Sequence, residues 1–341
     1  MTMKAVRLYA KGDLRVENVS RPPSPPAGWV RVNVTFAGIC GSDLHNFKTG
    51  QWITRAPSIA GHEFTGTVTE IGTGTSTLTV GDVVTADSRF WCGDCGPCQE
   101  GKRQLCERLG FIGEACDGCF AEEIILPEKL LHKIPATLAP QIAATAEPFA
   151  VALHAVRRLG FEKNEPVLVA GCGPIGGFAA VILAHLGFGP ILVADQNEKR
   201  ATLVASVTAA RIVSLDQKQI HYALQGRGVK AAIEATGSVA ALRALITCVS
   251  GGASIALVGI SRGLLEIDPN ILVERELSLI GCHAFQNELP DAITLLPDCA
   301  RMIAQLIDRE ITLREVPDAY ARIAAGNADG LKTLIRINAS E

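Results

Sequence analysis

The stretch PVLVAGCGPIGGFAAVILAHLGFGPILVAD, residues 166–195, decides the fold. Before Asp195 it holds no Asp, Glu, Lys or Arg and a single histidine, His185, so by hydropathy alone it passes as a membrane span. Its punctuation says otherwise. Gly171, Gly173, Gly176, Gly177, Gly187 and Gly189, with Pro174 and Pro190, cut it into strand, turn, helix, turn and strand. An apolar strand from Val167, an alanine-rich helix from Gly176 to Leu186 and a second strand from Ile191 make one β-α-β unit buried in a parallel sheet.

Inside that unit, Gly171-Cys-Gly-Pro-Ile-Gly176 fits Gly-x-Gly-x-x-Gly where the pattern has a mechanism, after a strand and opening a helix. Gly171, Gly173 and Gly176, with Pro174 and Ile175 between them, permit a tight turn and close approach of a pyrophosphate. The phosphates then rest on the positive helix N-terminus. Asp195 ends the next strand, 24 residues beyond Gly171. Its carboxylate suits both hydroxyls of an adenosine ribose and repels a 2′-phosphate. The first bases after it are Lys199 and Arg200, and Arg200 joins the cofactor-binding set. The pattern predicts NAD over NADP.

Downstream, Ile212-Val-Ser, Ala231-Ala-Ile-Glu, a helix from Val239 to Cys248, Ser254 to Gly259 and Leu277 to Gly281 continue the alternation of a doubly wound parallel sheet. Upstream, residues 4–85 are short β-branched runs separated by Gly and Pro, with Arg21-Pro-Pro-Ser-Pro-Pro as a stiff connector. After residue 285 a helix (Glu288 to Ile307) and a strand (Leu331 to Ile337) remain. The expected division is a β-rich catalytic domain over 1–148 with a lobe at 90–110, a Rossmann domain over 149–284, and a return segment of the catalytic domain over 285–341. The 341 residues are too many for one ordinary core.

Composition narrows the function. Hydrophobic residues make up 48% and charged residues 20%, a globular profile. With 32 basic against 35 acidic residues and no basic run, neither a nucleic-acid nor an anionic-membrane surface is expected. The opening MTMKAVRLYAKGDLRVENV lacks an apolar core of signal-peptide length, so the expectation is a soluble, cytoplasmic protein.

Four of the eleven cysteines crowd into fifteen residues: Cys92, Cys95, Cys98 and Cys106. Two-residue gaps turn successive thiolates toward one centre and the fourth closes a tetrahedron, the pattern of a structural zinc site, with an iron–sulfur cluster as the competing reading. Cys116 and Cys119 share the spacing but have no further ligand beside them. A second constellation is dispersed. Cys40 lies in Gly38-Ile-Cys-Gly-Ser-Asp-Leu-His45, His62 and Glu63 in Gly61-His-Glu-Phe-Thr-Gly66, and Glu147 in Ala146-Glu-Pro. One thiolate, one imidazole and one or two carboxylates from glycine-rich turns suit a catalytic zinc with an exchangeable position.

Taken together, these five segments resemble the zinc-dependent medium-chain alcohol dehydrogenase family, in its polyol (sorbitol/idonate) and threonine dehydrogenase branch. They come in the family's order and span nearly the whole chain. The resemblance implies a GroES-like catalytic domain beside the Rossmann domain, and two zinc ions. Cys40 and His62 are then the constant ligands of the catalytic zinc, Glu63 is a ligand that alternates with water, and Glu147 is a ligand or a substrate-facing carboxylate. Ser42 takes the substrate proton and His45 delivers it to solvent, with the nicotinamide ribose between them. Val258 lines the cofactor. The implied reaction is hydride transfer between NAD and a secondary hydroxyl of a polyol, sugar alcohol or sugar acid, with threonine- and butanediol-type substrates as alternatives, in a homo-oligomer. A non-enzymatic zinc- and NAD-binding regulator is the alternative of another class. The chain departs from sorbitol dehydrogenases at Asn46, where they have tyrosine, and at Ala284-Phe285, where they have Arg-Tyr. Losing that arginine argues against sorbitol itself, while Glu147 and Asn46 keep polyhydroxylated substrates ahead.

Overall fold

The computed structural model describes residues 1–261, 263–328 and 330–338. Residues 166–195 form strand Val167–Ala170, helix Pro174–His185 and strand Ile191–Ala194, and no helix among the described residues is long and apolar enough to cross a membrane. Six parallel strands run in the order Arg211–Ile212, Ile191–Ala194, Val167–Ala170, Ala231–Glu234, Ser254–Leu257, Ser278–Gly281. The first strand in sequence lies inside the sheet, and the order reverses beside it. A crevice at the carboxyl ends follows from that reversal. Val167 and Val169 pack with Phe149, Phe178 and Leu296 on one face, while Leu168 and Ala170 pack with Leu245 and Ile255 on the other. Burial of both faces explains why these strands read as unbroken apolar runs.

The remaining strands are mostly antiparallel. Seven form one sheet in which Trp29–Gly38 pairs with Glu63–Ile71, Glu123–Pro127 and Lys332–Arg336. Lys332–Arg336 in turn pairs with Ile307–Thr312, a strand that the sequence reading absorbed into a helix end and a loop. The helix before it, Leu289–Leu306, therefore stops one residue short of the expected Ile307. Helix Val316–Ala324 was also missed; its nine residues offer too few turns for a clear period.

Helix Ala146–Leu159 runs between the two sheets and buries all but three of its fourteen residues. His154 on this helix meets Glu288, the N-cap of helix Leu289–Leu306, with Nδ1 2.9 Å from Oε1. The other carboxylate oxygen accepts the N–H groups of Gln286 and Asn287 at 2.6 and 3.0 Å. Burial alone would raise the Glu288 carboxyl. The His154 hydrogen bond and charge and the Gln286 N–H outweigh it and lower the group from 4.5 to about 2. Folding thus favours the ionised form, so its contribution is present above pH 4.5 and is lost as pH falls through about 2. Glu288→Gln should flatten the pH dependence of stability across that window, measured by urea unfolding at successive pH values; an unchanged slope would refute the assignment.

Candidate metal centre and nucleotide crevice

Strand register assembles the dispersed constellation. Gly38, at the end of Trp29–Gly38, lies opposite Glu63, the first residue of its neighbour, and opposite Leu334 on the other side. Cys40, two residues past the strand, is the N-cap of helix Gly41–Thr49. The Cys40 sulfur, one His62 ring nitrogen and a Glu63 carboxylate oxygen consequently lie within 4.8 Å of one another. Ser42 Oγ donates to Cys40 Sγ at 3.2 Å, and the sulfur sits at the positive N-terminal end of that helix.

Two side chains that sequence reasoning left without a role organise this nest. Asp43 Oδ2 accepts the Cys40 N–H at 3.0 Å while Oδ1 stands 3.4 Å from His62 Nδ1. Holding one ring nitrogen leaves the other for a metal. Burial disfavours a charged His62, yet the Asp43 carboxylate and the Cys40 sulfur raise its pKa. Lys332, 1% exposed, pairs with Glu63 Oε2 and donates to the Ile39 carbonyl at 2.9 Å. Asp43 stood inside a quoted motif, but nothing local signals Lys332. A side chain at Gly38 would overlap both Glu63 and Lys332, so glycine there is what lets the pair meet.

The donors fit zinc. Sulfur, nitrogen and carboxylate oxygen are a set zinc accepts, and Glu63 Oε1, buried, has no hydrogen-bond partner among the described residues. Glu147 is not in the three-residue group. Its Oε1 accepts from Ser88 Oγ at 2.6 Å, and burial raises its pKa, with His62 and Glu63 near enough to act on it. His45 Nε2 lies 2.9 Å from Gln51 Oε1 and the ring stacks on Trp52 at 4.5 Å. Asn46 is buried and its Oδ1 accepts the Trp52 N–H at 3.0 Å, so that oxygen holds the 51–57 loop rather than a substrate.

In the lobe, Cys92, Cys95, Cys98 and Cys106 converge with sulfur separations of 3.5–3.9 Å for three pairs. A tetrahedron with zinc–sulfur bonds of about 2.3 Å has edges of about 3.8 Å. The Cys92 and Arg108 N–H groups donate to Cys106 Sγ at 3.3 and 3.4 Å. The Cys98 thiol is pushed up to about 12, chiefly by burial, so four adjacent thiolates need a cation.

In the nucleotide crevice, Gly171 has φ 96° and Gly173 is the N-cap of helix Pro174–His185. A Cβ on Gly176 would overlap the Gly171 carbonyl, and one on Gly171 would strike the Ala235 backbone. A Cβ on Gly173 would meet nothing within 4 Å, which leaves that backbone open to a ligand. Asp195 Oδ2 accepts the Cys172 N–H at 2.6 Å and Oδ1 the Asn197 N–H at 2.7 Å; Asn197, not Asp195, caps the following helix. Pro174 and Ile175 open the helix, the Val258 N–H donates to the Glu234 carbonyl at 3.0 Å, and the Arg200 Nε is buried without a hydrogen-bond partner among the described residues.

Residues 26–136 match the alcohol dehydrogenase GroES-like domain family and residues 174–298 the zinc-binding dehydrogenase family. An L-threonine 3-dehydrogenase of Coxiella burnetii is 32% identical over 89% of this chain and 91% of that protein. A sorbitol dehydrogenase of Bacillus subtilis is 28% identical over 98% of each. Among solved structures, a zinc-binding dehydrogenase of Sinorhizobium meliloti bound to NADP superposes with a TM-score of 0.91 at 30% identity, covering 98% of this chain and 99% of that one.

The glycine geometry yields a contrast. Gly176→Ala should cost about 1–3 kcal/mol by forcing the loop off the helix. Gly173→Ala should cost less than about 1 kcal/mol. Denaturant unfolding of the two variants measures this, and equal losses would contradict it.

Proposed function

Because the chain belongs to the zinc-dependent medium-chain alcohol dehydrogenase family, in its polyol and threonine dehydrogenase branch, we propose that it uses NAD to oxidise a secondary hydroxyl of a polyol, sugar alcohol or sugar acid, carrying two zinc ions per chain. The family acts on alcohols and polyols as an oxidoreductase; the choice of NAD, the substrate and the residue roles are this proposal. The observation that carries it is the mutual approach of Cys40, His62 and Glu63 within 4.8 Å.

Cys40, His62 and Glu63 hold the catalytic zinc, with Glu147 beside them as a further ligand or a carboxylate facing the substrate. Bound there, zinc supplies Lewis acidity that lowers the pKa of an alcohol. Asp43 orients His62, and Lys332 keeps the Glu63 charge compensated. Ser42 takes the hydroxyl proton and His45, partly exposed one turn further along the same helix, passes it to solvent. Gly171, Gly173, Pro174, Ile175 and Gly176 cradle the pyrophosphate. Each Asp195 oxygen has a lone pair beyond its present N–H partner for a ribose hydroxyl, and the same charge disfavours a 2′-phosphate. Arg200 and Val258 flank the adenosine and nicotinamide ends. The four lobe cysteines hold the structural zinc.

A panel of polyols, sugar acids, threonine and 2,3-butanediol, followed through reduced nicotinamide at 340 nm with NAD and NADP in parallel, tests this. Turnover of a polyhydroxylated substrate with NAD favoured is expected, and no turnover of any secondary alcohol overturns the enzymatic reading. Metal analysis should find two zinc ions per chain and one in either single variant. Cys40→Ser should abolish turnover with folding and NAD binding kept, whereas Cys98→Ser should lower thermal stability.

Strand Ser278–Gly281 forms an edge of the parallel sheet, and Leu264 and Val273, close to it in sequence, are 87% and 72% exposed. An open edge flanked by apolar side chains suits a second copy of the chain. Light scattering should give at least a dimer, and Val273→Glu should shift it toward monomer; a monomeric parent protein would end this part of the proposal.

A further inference from the structure

Between the last strand of the parallel sheet, Ser278–Gly281, and helix Leu289–Leu306, the backbone is gripped by two charged side chains of opposite sign. Arg89, 1% exposed, reaches it from strand Arg89–Phe90. Its Nη1 donates to the Phe285 carbonyl and its Nη2 to the Gln286 carbonyl at 3.0 Å. Nε and Nη2 also hold Asp87 at 2.8 Å each, and the guanidinium lies 4.0 Å over the Phe285 ring. From the other side Glu288 Oε2 accepts the Gln286 and Asn287 N–H groups at 2.6 and 3.0 Å. The carbonyl and the N–H of one planar peptide point in opposite directions. Two consecutive peptides are therefore clamped at both ends, carbonyl by a cation and N–H by an anion. Asp87 alone would pair the Arg89 charge; the further hydrogen bonds all go to this one turn.

The residues just ahead of the clamp are bent and unpaired. Ala284 has φ 50°, a region that residues with a Cβ seldom enter. The Phe285 N–H has no acceptor among the described residues, although Phe285 has no solvent exposure. Buried N–H groups are rarely left without a partner, so this one points to a ligand or water at the turn. The fold places it in the crevice. The Cys282 N–H donates to the Leu257 carbonyl at 2.9 Å, which keeps the segment at the carboxyl ends of the strands. Phe285 belongs to the packed cluster that includes Ala235 and Val258, the residues that directly follow strands Ala231–Glu234 and Ser254–Leu257. Asp195 follows strand Ile191–Ala194, on the opposite side of Val167–Ala170. A dinucleotide with its adenosine at Asp195 and its phosphates at Gly171–Gly176 thus extends its nicotinamide end toward Phe285.

We infer that Arg89 is a positioning residue for the nicotinamide end of the cofactor: with Glu288 it fixes the turn over 284–287 against which that end rests. This rests on the reading of the crevice as a dinucleotide site, and it adds to the glycine loop and Asp195 a requirement that comes from outside the nucleotide sheet. Arg89 itself stays sheathed by Asp87, Phe285 and the two carbonyls, so it acts through the backbone it holds.

The experiment compares the affinities of zinc-loaded protein for NADH and for ADP-ribose, which has the adenosine and both phosphates but no nicotinamide, by calorimetric titration. The native protein should bind NADH more tightly. Arg89→Lys keeps a cation for Asp87 but lacks the planar fork that also reaches two carbonyls. It should weaken NADH about 10-fold and leave ADP-ribose unchanged. Asp87→Asn combined with Arg89→Leu removes both charges, orphans neither, and should show the same selective loss even where the lysine variant folds poorly. With the alcohol that the native enzyme turns over best, kcat of Arg89→Lys should fall about 10- to 100-fold with little change in the KM for that alcohol. Equal losses for both ligands, or an NADH advantage that neither variant reduces, would overturn the inference, because an arginine that only supports the fold produces one of those two results. A native protein without preference for NADH over ADP-ribose would overturn it as well. If the native protein binds neither ligand, the dinucleotide reading has failed and the inference falls with it. If both bind but no alcohol reduces NAD, the dehydrogenase reading fails alone, and the ratio of affinities still decides.

Discussion

A glutamate with no solvent exposure faces a lysine that is 1% exposed, and the space between them is the missing side chain of Gly38. Burying either charge alone would cost several kcal/mol, so the pair exists only because three strands bring its members together. Glu63–Ile71, Trp29–Gly38 and Lys332–Arg336 are adjacent, and their register places Glu63 and Lys332 on either side of Gly38. The same register sets Cys40 and His62 beside Glu63. Compensation of one buried carboxylate and assembly of the three-donor nest are thus one event. The last strand of the sequence completes a centre whose other members lie within the first 63 residues.

From that pair the electrostatics of the centre follow. The Lys332 charge is used up by Glu63, and Arg89 is used up by Asp87 and two carbonyls. Cys40, His62 and Glu63 then offer sulfur, nitrogen and carboxylate oxygen to a divalent cation. Helix Ala146–Leu159 joins this centre to the parallel sheet. Its first turn carries Glu147 toward Ser88, and its later turns carry His154 to Glu288.

The nucleotide crevice obeys a different constraint, close packing of backbone. Gly171 and Gly176 have no room for a side chain, whereas Gly173 has ample room. Two glycines serve the fold and one is open to a ligand, although the motif in the sequence makes all three look alike.

The sequence by itself determined the features that depend on near neighbours. The glycine punctuation of 166–195, the helix over Val239–Cys248 and the spacing of Cys92, Cys95, Cys98 and Cys106 are local, because turn geometry and ligand reach act over a few residues. Motif order carried the fold class and the family for the same reason. Only the tertiary structure decided the partners of Glu63, the burial of Asn46 against Trp52, and the parallel pairing of Ile307–Thr312 with the final strand. These depend on strand register and on contacts across hundreds of residues, where a side chain's surroundings are set by elements its own segment does not encode.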